Sequence, residues 1–365
     1  MLIGIDASQA AKEKRTGVEN FCRELILNLI KSDKTNSYIF YSDQPFTLPE
    51  KSKNVKVLVS PMIRFWHNLK LPKMINATKP DVFISPGYML PIGTNAKMIS
   101  IIHDFAPKYF SKAYTRKDKI LQNLSINRAI AKSKAILFVS KNTLNDFNKF
   151  YGGYKGITGV LYQSYDHQTF RREKGDGYRP TKSPYILSVG RLEERKNSKN
   201  LIKAYGILRS KYPSIEHKLV LSGKKGFRFN EIKREIGQLG SISKDVILNG
   251  FVSSDDMYSM FHNAEVFVFP SLYEGFGIPI LEAFSAGVPV ACSDSSSLPE
   301  VAGDAALYFN PEKPEEIAES LYKILSDSNI RKNLINNSKK RLPLFTWEKS
   351  IPQLLKIMQR IVNEK

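Results

Sequence analysis

Cysteine and long apolar runs are nearly absent from this chain of 365 residues. Only Cys22 and Cys292 are present, so a disulfide framework has no support, and we expect a reducing compartment in which both thiols serve packing. No run of about eighteen apolar residues occurs, and residues 1–6 read as a strand and not as a charged leader. The sequence therefore predicts a cytoplasmic protein without a membrane span.

Metal-binding patterns are missing as well. The five histidines are scattered, two cysteines are too few for a zinc site, and no Asp-x-Asp sequence occurs. The pair Asp255-Asp256 follows two serines and is typical of the capped, acidic first turn of a helix. We therefore expect neither a metal nor another cofactor.

Composition and charge indicate a basic globular protein. With 42% hydrophobic and 25% charged residues, a chain of this length favours two domains of roughly 150–200 residues each. Residues 1–175 carry 28 Lys and Arg against 13 Asp and Glu, and residues 176–365 carry 27 against 22. Such an excess attracts nucleic acid, anionic lipid or diphosphate groups. Because no nucleic-acid-binding motif is recognisable, nucleic acid is not expected as a partner.

Strand and helix signals alternate along the chain, which is typical of doubly wound α/β domains. A polar stretch at 166–183 predicts a linker between domains at 1–165 and 184–344. Helices are predicted over residues 18–31 and 347–362. The predicted strands lie at 2–6, 38–41, 55–59, 82–85, 98–103 and 135–140, and then at 185–189, 218–222, 246–248, 266–269, 288–292 and 306–309.

The most informative stretch is Pro270–Ala283, where two carboxylates lie eight residues apart around a glycine-rich turn that opens a helix. Gly275 and Gly277 let the backbone approach a ligand closely, and the first N–H groups of the helix have no intrahelical partner. A diphosphate fits there, with Glu282 close enough to bind ribose hydroxyls and Glu274 beside the sugar. The apolar run before the turn predicts a buried parallel strand, and open α/β sheets bind ligands at the carboxyl ends of such strands.

This stretch resembles the retaining glycosyltransferases of family 4, whose signature is a glutamate, seven residues and a second glutamate. Glu274 and Glu282 match it, and the similarity continues through residues 287–290. The resemblance implies an α/β protein with the GT-B fold, two Rossmann-like domains facing each other across a cleft. The first domain would bind the acceptor and the second the nucleotide-sugar donor, while the C-terminal helix at 345–365 crosses back onto the first domain.

The resemblance also assigns catalytic roles. Arg191 and Lys196 match residues that contact the donor diphosphate, where a cation stabilises the charge growing on the leaving group. His103 matches the active-site histidine that hydrogen-bonds the transferred sugar or the donor phosphate. Asp104 either orients His103 or caps the next segment. Arg195 has no support from the resemblance and is expected to be solvated.

Further residues are implied as donor contacts. Gly17 lies in the loop Arg15–Asn20, which resembles the loop that comes near the diphosphate, and Gly250–Val252 would bracket the nucleobase through backbone contacts. The remaining histidines, His67, His167, His217 and His262, are interpreted as structural. The predicted donor-binding residues are Gly17, Gly250, Phe251, Val252, Gly275, Phe276, Gly277, Ile278 and Glu282.

The implied reaction transfers a hexose from a nucleoside-diphosphate sugar to an acceptor hydroxyl with retention of configuration. Residues 81–92 resemble mannosyl- and rhamnosyltransferases of bacterial surface polysaccharides, which favours GDP-mannose among GDP- and UDP-sugars. The implied acceptor is a glycan or a polyprenyl-diphosphate-linked glycan. Two alternatives stay open: a nucleotide-sugar epimerase of the same fold, and a non-catalytic nucleotide-sugar-binding protein.

A basic segment in the first domain has two interpretations. It resembles a basic amphipathic region that binds an anionic membrane surface, which would make the protein peripheral on the inner face of the membrane. It is equally compatible with a solvated helix face. The cations are Lys108, Lys112, Arg116, Lys117, Lys119, Arg128, Lys132 and Lys134, and the apolar residues among them include Tyr109, Phe110, Tyr114, Ile120, Leu124 and Ile130.

Overall fold

The computed structural model describes residues 1–13, 17–48, 53–61, 65–87, 89–165 and 177–364. The chain divides into two compact units, Met1–Gln163 with Thr346–Lys365, and Ser164–Phe345. Most of the predicted linker at 166–183 lies outside the described residues, as do Arg15 and Thr16 of the predicted phosphate loop.

The first unit is built on a parallel sheet whose described strands follow the order β3-β2-β1-β4-β5-β6-β7. The strands are β1 (Leu2–Asp6), β2 (Ser37–Ser42), β3 (Val55–Val59), β4 (Val82–Ser85), β5 (Met98–Ile102), β6 (Ser133–Phe138) and β7 (Ile157–Val160). Its α-helices are α1 (Gly17–Ser32), α2 (Leu71–Thr78), α3 (Ala106–Tyr109), α4 (Arg116–Lys132), α5 (Lys141–Tyr151) and, from the end of the chain, Trp347–Asn363. A π-helical turn, Trp66–Lys70, precedes α2, and a 3₁₀ turn, Ser111–Ala113, precedes α4.

Continuous apolar runs explain the central strands of this sheet. β4 and β5 are buried along their whole length, as expected for strands covered on both faces. β7 was not predicted, because Thr158 and Gly159 interrupt its apolar pattern. β6 ends at Phe138 and not at the predicted residue 140, since the Ser140 hydroxyl accepts a hydrogen bond from the Thr143 amide and begins α5.

The helix Trp347–Asn363 belongs to the first unit. Trp347 packs against Phe21 of α1, with ring centroids 5.7 Å apart, and the Ser350 hydroxyl donates to the Tyr162 carbonyl at 2.6 Å. Lys97 Nζ donates to the carbonyl of Ile361 at 2.9 Å, which satisfies the end of the helix. The final segment is thus an integral part of the packing of this unit.

The second unit contains a parallel sheet with described strands in the order β10-β9-β8-β11-β12-β13. They are β8 (Tyr185–Val189), β9 (Lys218–Ser222), β10 (Val246–Gly250), β11 (Val266–Phe269), β12 (Val290–Ser293) and β13 (Ala306–Phe309). Its α-helices are α6 (Ser198–Lys211), α7 (Phe229–Gly237), α8 (Ser254–His262), α9 (Ile278–Ser285), α10 (Leu298–Ala302), α11 (Pro314–Ser326) and α12 (Ser328–Arg341), with 3₁₀ turns at Glu194–Lys196, Gly240–Asp245 and Leu342–Leu344.

The strand order of each sheet reverses once, which locates the crevices expected to bind ligands. In the second unit the reversal lies between β8 and β11, and in the first between β1 and β4. Both thiols, Cys22 and Cys292, are free and buried, which confirms their packing role. No helix in the described part of the chain is long and apolar enough to cross a bilayer.

Candidate active site

Two loops meet at the carboxyl ends of β8 and β11, the neighbouring strands where the order of the second sheet reverses. Asn197 joins them, because its side-chain amide donates to the carbonyls of Pro270 at 3.1 Å and Pro311 at 2.6 Å. Asn197 is buried and has a left-handed backbone, φ 57°, a conformation that asparagine tolerates better than most residues. Lys196 is thereby fixed opposite the turn that carries Glu274.

Glu274 binds two cations that come from the other loop. Its Oε1 lies 2.5 Å from Lys196 Nζ, and its Oε2 lies 2.9 Å from Arg195 Nη1. The side chains of Glu274, Arg195 and Lys196 are 9%, 15% and 16% exposed. The sequence motifs around residues 191–196 and 274–282 therefore meet in one half-enclosed, charged site.

The electrostatics keep Glu274 ionised. Burial alone raises the pKa of its carboxyl group, but the charges of Lys196 and Arg195, together with the hydrogen bond from Lys196, outweigh burial and lower that pKa to about 2. Burial lowers the pKa of Lys196, and the Glu274 charge opposes that effect. Lys196 Nζ also lies 5.0 Å from the centre of the Phe269 ring, a cation–π contact at the end of β11.

The structure corrects the expectation that Arg195 is solvated. Besides binding Glu274, its Nη1 donates to the Tyr273 carbonyl at 3.0 Å, and its Nη2 lies 3.3 Å from Glu193 Oε1. Its own carbonyl accepts from the Leu272 amide at 2.9 Å. A planar guanidinium can make several such bonds at once, so Arg195 fastens the Glu274 turn to the β8 loop. Sequence spacing did not reveal this, because its partners lie 78 and 79 residues away.

The turn between Glu274 and α9 is held by serines that the sequence prediction missed. The Ser297 hydroxyl donates to the carbonyls of Phe276 at 2.7 Å and Glu274 at 2.9 Å, and the Glu274 amide donates to Ser296 Oγ at 2.9 Å. Gly277 has φ 119°, and a Cβ at that position would lie 2.9 Å from Leu298. Glycine is therefore required at 277 both by backbone conformation and by close packing.

The remaining predicted donor contacts of this turn lie on or just before α9. Ile278 begins the helix and Glu282 lies in its second turn. Glu282 is partly exposed, whereas Gly275 and Phe276 are buried. Arg191, at the end of β8, is exposed and makes no ion pair with any described residue. Arg191 is thus an available cation beside the fixed Lys196.

The predicted nucleobase segment is at the end of β10. The Gly250 carbonyl accepts from the Gly223 amide at 2.7 Å and from the Ser222 hydroxyl at 3.1 Å, which ties this segment to β9. Phe251 is 62% exposed, with Lys224 Nζ 4.6 Å from its ring centre. Val252 is partly exposed. The segment presents an aromatic face that is suited to stacking on a base.

His103 lies in the first unit, directly after β5. It is 8% exposed, and its Nε2–H donates to the Pro86 carbonyl at 2.7 Å. Burial lowers the pKa of the imidazole, although Pro86, Asp104 and Glu19 oppose that effect. Because a carbonyl only accepts, Nδ1 of the neutral ring remains available as a hydrogen-bond acceptor. Asp104 Oδ1 accepts from the Ala106 amide at 3.0 Å, which favours its capping role.

Gly17 is the first residue of α1 and is exposed. A Cβ at this position would meet no described atom within 4 Å, so the packing of the described first unit does not require glycine there.

For the metal prediction, the described residues include no cluster of three or more His, Cys, Asp or Glu that could hold an ion. Asp255 and Asp256 lie in the first turn of α8, whose Ser253 cap accepts from the Asp256 amide, as predicted.

Comparisons with known proteins identify the class of enzyme. Residues 169–341 match the model of the family "Glycosyl transferases group 1". The chain is 29% identical over 290 residues to the O-antigen chain mannosyltransferase B of Escherichia coli, covering 76% of this chain and 74% of the relative. It is 25% identical over 262 residues to the O-antigen chain mannosyltransferase RfbU of Salmonella typhimurium strain LT2, covering 72% and 69%.

A solved structure supports the fold independently. The sucrose-phosphate synthase of Thermosynechococcus elongatus superposes with a TM-score of 0.75 over 100% of both chains at 17% identity. At that identity the likeness shows the fold alone, and it confirms the predicted class of two parallel-sheet α/β domains. Residues 169–341, just under half of the chain, match the group 1 model, and with the mannosyltransferase relatives this match identifies the chain as a glycosyltransferase with the GT-B fold.

Proposed function

We propose that the chain transfers a mannosyl residue from GDP-mannose, with retention of configuration and without a metal, to a glycan of a bacterial surface polysaccharide. The names of the two O-antigen mannosyltransferases that align with about three quarters of the chain support mannose and this acceptor class. The single observation that carries the proposal is the ionised Glu274, fixed between Lys196 and Arg195 at the reversal point of the second sheet. No specific observation favours an epimerase or a non-catalytic binder.

The donor would be bound by groups that the site already orients. Arg191 and Lys196 contact the diphosphate, whose negative charge grows as the bond to the sugar breaks. Glu274 keeps acceptor capacity for sugar hydroxyls, because a carboxylate has about four lone-pair sites and two are used by Lys196 and Arg195. Glu282 accepts from the ribose, and the exposed Phe251 ring stacks on the base.

Retention in this proposal comes from attack of the acceptor hydroxyl on the same face of the sugar from which the diphosphate leaves, and no side chain forms a covalent intermediate. Glu274 is held by two cations, which makes it a poor nucleophile, so it acts as a hydrogen-bond acceptor and not as a covalent intermediate. The departing phosphate oxygen takes the proton of the attacking hydroxyl, and the cations stabilise the phosphate. The chain then contributes positioning and charge stabilisation to the reaction.

The test is release of nucleoside diphosphate from a panel of GDP- and UDP-sugars, with and without a lipid extract that carries polyprenyl-diphosphate-linked glycans. We expect acceptor-stimulated release from GDP-mannose alone, an α-linked product by anomeric NMR, and unchanged rates in EDTA. Conversion of the donor without acceptor would instead identify an epimerase. Loss of activity in EDTA would contradict metal independence, and an inverted product would contradict retention.

We further propose that α4 places the first unit on an anionic membrane surface, where a lipid-linked acceptor is found. Ile120, Leu121 and Leu124 are 59%, 43% and 58% exposed on one face of α4, while its other face is buried. Arg116 and Lys117 begin the same helix and are exposed. Apolar side chains that insert between lipids beside cations are the pattern of an interfacial helix.

Vesicle flotation tests this surface. Wild-type protein is expected to float with vesicles containing anionic phosphatidylglycerol and to remain unbound with neutral vesicles. The triple variant Ile120→Ser, Leu121→Ser, Leu124→Ser should lose flotation while keeping donor hydrolysis. As a matched control, Tyr178→Ser changes an exposed apolar residue of the second unit (41% exposed). Equal flotation of the triple variant and the wild type would rule out α4 as the membrane contact.

A further inference from the structure

A second polar cluster lies at the carboxyl edge of the first sheet, among residues to which the family resemblance gives no role. β1 ends at Asp6, and Asp43 directly follows β2. The order of this sheet reverses between β1 and β4, so a crevice is expected beside Asp6. His103 follows β5 at the same edge. The cluster and the predicted active-site histidine therefore share one edge of the sheet.

Asp6 orients the side chains of the π-helical turn Trp66–Lys70. Its Oδ2 lies 2.8 Å from His67 Nε2, and its Oδ1 accepts from the Ser8 amide at 3.0 Å and from the Trp66 indole at 3.4 Å. The Asp6 side chain is 5% exposed, against 13% for His67. Asp6 is thus a positioning residue, and His67 is the member of the pair that a ligand can reach. The earlier interpretation of His67 as merely structural omitted this pairing, which joins residues 61 positions apart.

Two groups beside this pair lack the partners that buried polar atoms ordinarily have. The Oδ1 atom of Asp43 and the hydroxyl of Ser8 are buried without a hydrogen-bond partner among the described residues. Burial raises the pKa of Asp43, the charge of Asp6 raises it further, and the charge of His67 opposes both. Asp6, Asp43 and His67 therefore act on one another electrostatically. A hydroxyl group from a ligand would supply the donor that Asp43 lacks.

An aromatic ring lies next to the polar groups in the chain. Phe65 directly precedes the turn that carries His67, and its side chain is 66% exposed. Its φ of 59° is left-handed, which is strained for a bulky residue and persists where the surrounding structure enforces it. An exposed apolar ring beside hydrogen-bonding groups matches a pyranose, which has hydroxyl groups at its edge and C–H groups on its face.

We propose that His67, Asp43 and Phe65, with Asp6 orienting His67, form a carbohydrate subsite of the first unit that binds the sugar of the acceptor. His67 and Asp43 bind hydroxyl groups, and Phe65 packs against the ring. The inference rests on the proposed function, because the acceptor glycan is the ligand that this subsite takes.

The two tryptophans of the chain provide a direct assay. In the variant Trp347→Phe the only remaining tryptophan is Trp66, whose indole donates to Asp6. When this full-length protein is titrated with octyl α-D-mannoside, its tryptophan fluorescence should change and reach a plateau. Adding Phe65→Ala or Asp43→Asn should weaken binding of the mannoside by about tenfold, the effect of one lost hydrogen bond or ring contact. Phe227→Ala, which removes a 40% exposed phenylalanine of the second unit, should bind as the parent does.

Phe65→Ala is the decisive variant, because an exposed ring can be removed without loss of folding. Equal affinity of Phe65→Ala, Asp43→Asn and Phe227→Ala for the mannoside, or no saturable signal in the parent, would overturn the subsite. GDP release from GDP-mannose, measured in parallel, separates the two proposals. If GDP is released but the mannoside does not bind, the subsite alone is refuted. If the mannoside binds but GDP is not released under any condition, the proposed transferase reaction is refuted while the subsite stands.

Discussion

Arg195→Ala removes one of the two cations that fix Glu274, and the structure gives the size of the effect. The lost contacts are the 2.9 Å ion pair with Glu274 and the 3.0 Å hydrogen bond to the Tyr273 carbonyl. Removing one member of a buried ion pair costs about 3–5 kcal/mol when the other charge is left alone. Lys196 stays bound to Glu274, so we expect a smaller loss of about 2 kcal/mol, the contribution of a charge-assisted hydrogen bond.

Because of where the tryptophans lie, a loss of stability in Arg195→Ala can be assigned to the second unit. Trp66 and Trp347 both belong to the first unit, so their emission follows that unit, while circular dichroism follows both. Arg195→Ala should shift the urea transition seen by circular dichroism to lower urea and leave the tryptophan transition in place. It should also lower kcat/KM for donor turnover by roughly 10- to 100-fold, because a misplaced Glu274 no longer orients the sugar.

Arg228→Ala is the matched control. Arg228 pairs with Glu194 at 3.3 Å and Glu231 at 3.5 Å, but its side chain is 39% exposed. Exposed pairs contribute about 0.2–1 kcal/mol, so its urea transition and turnover should change little. If Arg195→Ala and Arg228→Ala prove equally stable and equally active, Arg195 does not fasten the Glu274 turn.

Three further predictions concern the same unit. Lys196→Ala should lower turnover at least roughly tenfold with the circular dichroism spectrum intact, and unchanged turnover would remove Lys196 from the mechanism. Phe251→Ala should weaken GDP binding by about 1–3 kcal/mol by calorimetry if the ring stacks on the base, and equal affinity would contradict stacking. The Glu274 pKa falls from 4.5 to about 2 on folding, so its charge contributes stability above pH 4.5 that is lost as the pH falls towards 2, by at most about 3 kcal/mol. Glu274→Gln should remove that component from acid unfolding curves of the second unit, and identical curves would show that Glu274 is not the titrating group.

The sequence predicted those features that depend on local pattern. Seven of the twelve predicted strands have the predicted bounds, because runs such as Val266–Phe269 are apolar throughout and are followed by a proline. The Glu274 turn could be recognised because its glycines and carboxylates are contiguous. Lys196 and Glu274 could be assigned to one site because each follows a strand of the second sheet, and parallel strands end at the same edge.

What the sequence did not reveal depends on partners that are distant along the chain. Arg195 and Lys196 are adjacent cations, and nothing local indicates that both turn towards Glu274. Asp6 and His67 are separated by 61 residues, and nothing in the segment around His67 indicates a buried carboxylate partner. The edge strand β7 was missed because a strand paired on one side does not need a continuous apolar run. Long-range pairing decides each of these cases, and local pattern does not contain it.

The charge balance of the donor site explains why two carboxylates can lie where a diphosphate is expected. Glu193 and Glu274 are both paired with Arg195, and Glu274 is also paired with Lys196. With the exposed Arg191 included, three cations lie near Glu193 and Glu274, so the end of the site proposed for the diphosphate keeps a net positive charge, while Glu282 lies on α9. Glu193 and Glu274 are neutralised by their ion pairs with Arg195 and Lys196. They therefore orient these two cations without repelling the donor. Neutralising Glu274 would therefore raise the local positive charge and yet impair transfer, since its cations and its turn would lose the group that holds them in place.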